Sequence, residues 1–146
     1  MEQKKMTPSK ETIILAVAGG LAFWVANFAI SLTPIAAEYR AALAISYFPM
    51  LLEALLGGLI IGCCVSYFLL RFFDKLPTQN PILKSIILSF IILIIVTMLI
   101  EAPAKFLTTT NDAWHYFLIG AIFNVIRIPV LGIVIGYLYD QLKGGE

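Results

Sequence analysis

Arg127 is a charged side chain in the middle of a largely apolar run that extends from Ala113 to Leu138. The run is long enough to cross a bilayer, because a membrane-spanning helix needs about 20 residues. An arginine at the centre of such a helix costs about 2.5–3.5 kcal/mol on insertion scales. Ionisable residues at that depth typically mark a ligand, ion or proton site, so Arg127 is the first candidate for chemistry.

Three more polar side chains are predicted at a depth similar to that of Arg127. They are Asn27, Asn124 and Glu53. At a rise of about 1.5 Å per residue, all four side chains lie roughly 20–27 Å above the predicted inner membrane surface. A helical side chain leans towards the N-terminus of its helix, which brings Arg127 towards the level of Glu53. Glu53 is therefore the candidate ion-pair partner of Arg127.

Two further carboxylates, those of Glu38 and Glu101, are predicted at the outer rim of the same region. Together these side chains predict a polar pocket that opens outward and takes up a small polar or ionic ligand. The predicted ligand-binding residues are Asn27, Glu53, Asn124, Arg127, Glu38 and Glu101.

Two other interpretations of these residues stay open. A buried Glu–Arg pair can fix the register of neighbouring helices, and polar side chains bridge membrane helices for about 0.6 kcal/mol each. Arg127 can also contact a lipid headgroup. The predicted function is thus transport or binding of a small ligand, and the alternative is a non-catalytic membrane anchor or accessory subunit with structural charges.

The composition places these residues in a membrane protein. Of the 146 residues, 60% are hydrophobic and only 13% are charged, whereas a soluble domain carries about 25% charged residues. We therefore predict an all-α integral membrane protein, a four-transmembrane-helix bundle that forms a single domain over residues 1–146 and contacts the lipid bilayer. The predicted spans are about 12–37, 46–70, 82–101 and 113–139.

Two of the segments that connect these spans have predicted structures of their own. The apolar stretch from Ala41 to Phe48 is either an interfacial or re-entrant piece, or part of a longer tilted helix kinked at Pro49. The stretch from Glu101 to Asp112 is predicted as the longest aqueous loop.

The distribution of lysine and arginine predicts the orientation in the membrane. With both termini in the cytoplasm, seven of these residues fall on the inner side and two on the outer side, as the positive-inside rule favours. The inner set is Lys4, Lys5, Lys10, Arg71, Lys75, Lys84 and Lys143, and the outer set is Arg40 and Lys105. The predicted location is the cell membrane, with a multi-pass chain.

Rows of small residues predict close helix contacts. One row is Gly58, Gly62 and Ser66, and another is Gly132 and Gly136. Because such rows let two helix backbones touch, we predict that they bind a second copy of the chain or another membrane protein. The net charge of +1 does not indicate binding to nucleic acid.

Enzymatic chemistry is not predicted. His115 is the sole histidine, and the two cysteines are the neighbours Cys63 and Cys64. Such a set does not supply a standard zinc or haem site, and no nucleophile-elbow, P-loop or zinc-protease motif is present. We therefore expect no enzyme activity, no metal and no cofactor.

Overall fold

The structure, a computed structural model, describes residues 8–75, 79–108 and 112–144 and is helical throughout. The helices are α1 (Pro8–Ser31), α2 (Pro34–Ala42), α3 (Tyr47–Arg71), α4 (Pro81–Val96), α5 (Ala102–Thr108) and α6 (Ala113–Gly144). A 3₁₀ turn at Phe73–Lys75 follows α3, and a π-helical turn at Thr97–Glu101 joins α4 to α5. Four stretches are long and apolar enough to cross a membrane: Ser9–Ser31, Tyr47–Arg71, Pro81–Ala104 and Ala113–Leu142. The predicted all-helical fold is confirmed, and so is the prediction of four helices that are long and apolar enough to span a membrane.

Proline and a capping side chain start two of the helices. Pro34 and Pro81 occupy the first turns of α2 and α4, where the missing N–H breaks no intrahelical hydrogen bond. The Thr33 hydroxyl accepts from the Ala36 amide at 3.2 Å, and the Asn80 side chain accepts from the Ile82 amide at 2.9 Å. These caps satisfy amides that the helix leaves free and define where each helix begins.

The four long helices pack as a bundle with α1 at its centre. Helix α1 contacts both α3 and α6 along its length, whereas α4 packs mainly on α6 and more lightly on α3. The core between them consists of fully buried aliphatic side chains, among them Leu15, Val65, Leu69, Leu131 and Ile135. The outward faces expose large apolar side chains such as Ile60, Ile94 and Val125, which is consistent with contact to a lipid bilayer.

The first predicted span, 12–37, is too long. Helix α1 ends at Ser31, and a separate helix, α2, begins at Pro34. The Thr33 cap and the proline that follows it end one helix and start the next. The apolar stretch after α2 is a turn that includes Ala44 with φ of 56°. Since α3 begins at Tyr47, Pro49 lies in its first turn, and the predicted longer helix kinked at Pro49 is wrong. The interfacial or re-entrant alternative for Ala41–Phe48 stays a prediction.

The predicted aqueous loop from Glu101 to Asp112 is also wrong, because the chain stays helical to Thr108. Pro103 lacks an amide hydrogen and its ring crowds the carbonyl four residues earlier, so a regular α-turn does not fit there. The wider π turn accommodates it, with the Ala102 amide donating to the Thr97 carbonyl five residues back.

The row Gly58, Gly62 and Ser66 lies inside the monomer. A Cβ atom on Gly62 would lie 2.7 Å from the carbonyl oxygen of Ala16, and one on Gly58 would lie 3.0 Å from that of Gly20. This row therefore packs α3 against α1 and is not available to a partner protein.

The row Gly132 and Gly136 is occupied in the same way by α4. A Cβ atom on Gly136 would lie 2.5 Å from Cα of Ile82, and one on Gly132 would lie 2.9 Å from the Ser89 hydroxyl oxygen. Both rows are thus used for packing within one chain. The prediction that these two rows form the contact surface for a partner is therefore wrong.

Lys84 is buried, whereas Lys10, Arg71 and Lys75 of the predicted inner cationic set are exposed. It is only 3% exposed, and its ammonium donates to the Phe73 carbonyl at 2.5 Å and lies 3.4 Å from the centroid of the Phe73 ring. This contact ties the turn after α3 to the start of α4. Lys4 and Lys5 lie outside the described residues.

Candidate functional site

The guanidinium of Arg127 is held by two asparagines. Nη1 donates to Oδ1 of Asn27 on α1 at 2.5 Å, and Nη2 donates to Oδ1 of Asn124, one turn earlier on α6. A guanidinium carries five N–H donors, so each terminal nitrogen keeps one further N–H beyond these bonds. Nε is buried and has no hydrogen-bond partner in the structure.

The carboxylate nearest to this network is that of Glu101, not that of Glu53. The Asn124 amide group donates to Oε2 of Glu101 at 2.9 Å, which links Arg127 to Glu101 through a neutral side chain. No hydrogen bond of the Arg127 guanidinium goes to Glu53. The predicted Glu53–Arg127 ion pair is therefore absent from the part of the chain that the structure describes.

The π turn aims Glu101 at this network. An α-helix advances about 100° per residue, so the extra residue of a π turn rotates everything after it by about that angle. Ile100 consequently faces outward and is 62% exposed, whereas Glu101 is half-buried and reaches Asn124. π turns of this kind are frequent at functional sites.

Two apolar side chains complete the surroundings of Arg127 and Asn27. The ring of Phe23, one turn before Asn27, lies 4.9 Å from the Arg127 guanidinium carbon, a cation–π contact. The Asn27 amide group donates to the sulfur of Met50 at 3.3 Å, which brings in the start of α3. Asn27 is 5% exposed and Asn124 is 4% exposed, so the network is largely withdrawn from the surface.

A cavity of about 290 Å³ lies between this network and α3. Arg127, Asn27 and Glu101 line one side, and Glu53 and Gly57 of α3 line another. The volume falls close to the lower end of the range for small-molecule sites, about 300–1,000 Å³. Five of the six predicted ligand-binding residues, namely Asn27, Glu53, Asn124, Arg127 and Glu101, thus line one cavity.

Glu38 is the exception. It lies on α2, is exposed and is not among the residues that line the cavity. Its neighbour Tyr39 points inward instead, because successive helical side chains diverge by about 100°. The structure therefore does not bring Glu38 to the cavity with the other five residues.

Helix α2 covers one end of the cavity. The Tyr39 ring makes edge contacts with Tyr116 and Phe123 of α6, at centroid distances of 6.2 and 5.6 Å. Gly120 makes room for it, since a Cβ atom there would lie 3.1 Å from the Tyr39 hydroxyl. Tyr39 therefore joins α2 to α6 above Arg127.

Arg40 joins α2 to α1 and α3. It donates to the Ser31 carbonyl at the end of α1 at 3.3 Å, and its guanidinium carbon lies 4.9 Å from the Tyr47 ring centroid. A cation at a helix C-terminus is favourable, so this arginine has a structural partner of its own.

Sequence reasoning missed Phe23, Met50 and Tyr39 as parts of the site. Phe23 has a signal, because it precedes Asn27 by four residues and so shares its helix face. Met50 and Tyr39 carry no comparable signal, since both contacts depend on how α2 and the start of α3 fold back over α1.

The arrangement can bind a small polar ligand but offers little for other chemistry. It combines two guanidiniums, two amides and two carboxylates with apolar side chains. In the described ranges, no group of three or more His, Cys, Asp or Glu side chains is placed to hold a metal ion.

No model of a protein family matches the chain, and no curated protein and no solved structure matches it either. A function must therefore be inferred from the cavity itself.

Proposed function

We propose that the chain is a multi-pass membrane protein that binds a small polar or ionic ligand in the cavity beside Arg127. We further propose that both termini are cytoplasmic, which places the cavity in the outer half of the bilayer. The observation that carries the proposal is a guanidinium on the cavity wall whose two partners, Asn27 and Asn124, are both uncharged.

The cost of burying this cation supports a ligand. A charge withdrawn from water is normally paired with an opposite charge or used for binding. The carboxylate of Glu101 reaches Arg127 only through Asn124, and the N–H groups left on Nη1 and Nη2 are unused donors. An anionic group in the cavity would complete the coordination of the guanidinium.

The same contacts favour a second candidate function, an anchor or accessory subunit. The hydrogen bonds of Arg127 join α1 to α6, and Asn124 joins α6 to the π turn, so the network also fixes three helices in register. In that case the cavity would have no ligand, and its lining would not need to admit water.

Cysteine accessibility distinguishes the two candidates. In a background with Cys63→Ala and Cys64→Ala, Gly57→Cys places a thiol on the cavity wall, where a built Cβ atom meets nothing within 4 Å. We expect it to react from the outer side of sealed vesicles with an anionic sulfonatoethyl thiosulfonate reagent. Removing the attraction with Arg127→Gln should slow the reaction by about tenfold.

Ile60→Cys is the matched control, because Ile60 is 64% exposed on the outward apolar face of the same helix. It should react slowly with or without Arg127. If Gly57→Cys reacts no faster than Ile60→Cys, the ligand-binding proposal fails and the anchor is favoured. Reaction only from the inner side would reverse the proposed orientation and leave the site intact.

A further inference from the structure

Four charged side chains line the cavity, and three of them, Arg40, Glu101 and Arg127, make hydrogen bonds within the described chain. Arg40 donates to the Ser31 carbonyl and stacks on Tyr47, and Glu101 accepts from Asn124. Neither is therefore the first choice for a ligand.

The two remaining charges, Arg127 and Glu53, have opposite signs, and Arg127 differs from Arg40 in that its Nε is buried without a hydrogen-bond partner among the described residues. Arg127 contacts only uncharged side chains directly. Glu53 is exposed, lines the cavity and makes no hydrogen bond or ion pair within the described chain. Since the two do not pair with each other, the cavity offers one cationic and one anionic contact at separate points of its wall.

A ligand with a single charge meets only one of these contacts favourably. A simple anion at Arg127 shares the cavity with the carboxylate of Glu53, and a simple cation at Glu53 shares it with the guanidinium. Like charges in a site of reduced dielectric repel strongly, so each such ligand loses part of what it gains. A ligand that carries both charges gains at both points.

Apolar side chains make up much of the cavity wall. They include Phe23, Ala54, Ile61 and Leu93. They fit a short hydrocarbon spacer, and the volume of about 290 Å³ limits the ligand to a small one.

We propose that the cavity binds an organic zwitterion, with its anionic group on the guanidinium of Arg127 and its ammonium on the carboxylate of Glu53. This assignment rests on the proposed function, because it names the ligand class of the same site. The shared chemistry, an ammonium joined by a short spacer to a carboxylate or phosphate, occurs in soluble amino acids and in the headgroup of phosphatidylethanolamine.

Thermal unfolding of the purified full chain in detergent tests the soluble source. The probes are a series of ω-amino carboxylates from glycine to 6-aminohexanoate together with O-phosphoethanolamine. The single-charge controls are the matching carboxylates and alkylamines. At least one zwitterion should raise the melting temperature at a concentration about tenfold lower than either of its single-charge analogues.

The variants assign the two ends of the ligand. Glu53→Gln should abolish the advantage of the zwitterion over the carboxylate, and Arg127→Lys should reduce the advantage of the zwitterion over the alkylamine while keeping a positive charge at that position. Glu38→Gln, an exposed carboxylate outside the cavity, should change neither. Because Glu53 makes no hydrogen bond or ion pair within the described residues, we expect Glu53→Gln to fold, which keeps the test valid if Arg127 variants do not fold.

Nanodiscs test the lipid source. In discs of phosphatidylglycerol that contain a minor fraction of phosphatidylethanolamine, native mass spectrometry should show the protein retaining phosphatidylethanolamine, and Glu53→Gln should lose it. Retention without any effect of soluble probes assigns the headgroup, and the reverse assigns a soluble zwitterion.

The proposal is overturned if no zwitterion of either source exceeds its single-charge analogues, or if Glu53→Gln leaves that advantage unchanged. Either result leaves the proposed function intact if Gly57→Cys still reacts fast with the anionic reagent and if that rate still depends on Arg127. Slow labelling of Gly57→Cys rejects the proposed function itself.

Discussion

Arg127 donates a hydrogen bond to Asn27 across 100 residues of sequence, at 2.5 Å between Nη1 and Oδ1. This contact joins the first long helix to the last one. It also places the only charged side chain in the middle of α6 at the wall of the cavity. We expect both the stability of the bundle and the geometry of the cavity to depend on it.

Asn27→Ala should destabilise the protein by about 1–2 kcal/mol. Hydrogen bonds between membrane helices average about 0.6 kcal/mol, and a charged donor makes such a bond roughly twice as strong. Reversible unfolding in mixed micelles with sodium dodecyl sulfate measures the loss. Asn27→Asp keeps an acceptor for Arg127 and should retain most of the stability.

A double-mutant cycle checks that Asn27 acts through Arg127. Once Arg127→Leu has removed the donor, Asn27→Ala should cost clearly less than it does in the native chain, since contacting residues are not additive. Equal costs of Asn27→Ala in the two backgrounds would contradict the contact.

Gly62→Ala should cost about 1–3 kcal/mol, whereas Gly57→Ala should change the free energy of unfolding by less than about 0.5 kcal/mol. A methyl group on Gly62 would lie 2.7 Å from the Ala16 carbonyl oxygen, but one on Gly57 meets nothing within 4 Å. The two glycines lie on the same helix, so replacing either by alanine changes helix propensity equally. The difference between the two free-energy changes therefore reports packing alone. Unfolding in mixed micelles with equal effects of the two substitutions would show that α1 and α3 do not approach as described.

Glu101→Cys should cross-link to Asn124→Cys with a short bifunctional thiosulfonate, in a background that lacks Cys63 and Cys64. The carboxylate and amide of the native residues are 2.9 Å apart because the π turn rotates Glu101 inward. Ile100→Cys paired with Asn124→Cys is the control, since Ile100 faces outward. A higher yield of cross-linked product for Ile100→Cys, read from digested peptides by mass spectrometry, would mean that the segment is a continuous α-helix.

Lys84→Met should destabilise the protein by about 1.5–3 kcal/mol. The substitution keeps an apolar stem of similar length but removes the charged donor to the Phe73 carbonyl. Lys75→Met is the control, because Lys75 is exposed and a surface substitution changes stability by less than about 0.5 kcal/mol. Chemical denaturation compares the two variants, and similar losses would argue against the buried contact of Lys84.

The candidate site was only partly predictable from the sequence. Asn124 and Arg127 are three residues apart on one helix, so their contact follows from helix geometry alone. The level of Asn27 followed from the rise per residue, and its contact with Arg127 agrees with that level. Glu53 was expected at the same level too, but equal depth does not decide which faces of two helices meet.

The sequence by itself determined the four apolar helices, because length, hydropathy and the scarcity of charge leave a chain of this kind few other ways to satisfy its backbone in lipid. It also determined which charged side chain would be buried in α6. Only the tertiary structure decided that Glu101 approaches the Arg127 network while Glu53 forms no ion pair with any residue in the described ranges. The reason is a rotation of about 100° at the π turn before Pro103, together with the glycine contacts that set how α1, α3, α4 and α6 face one another.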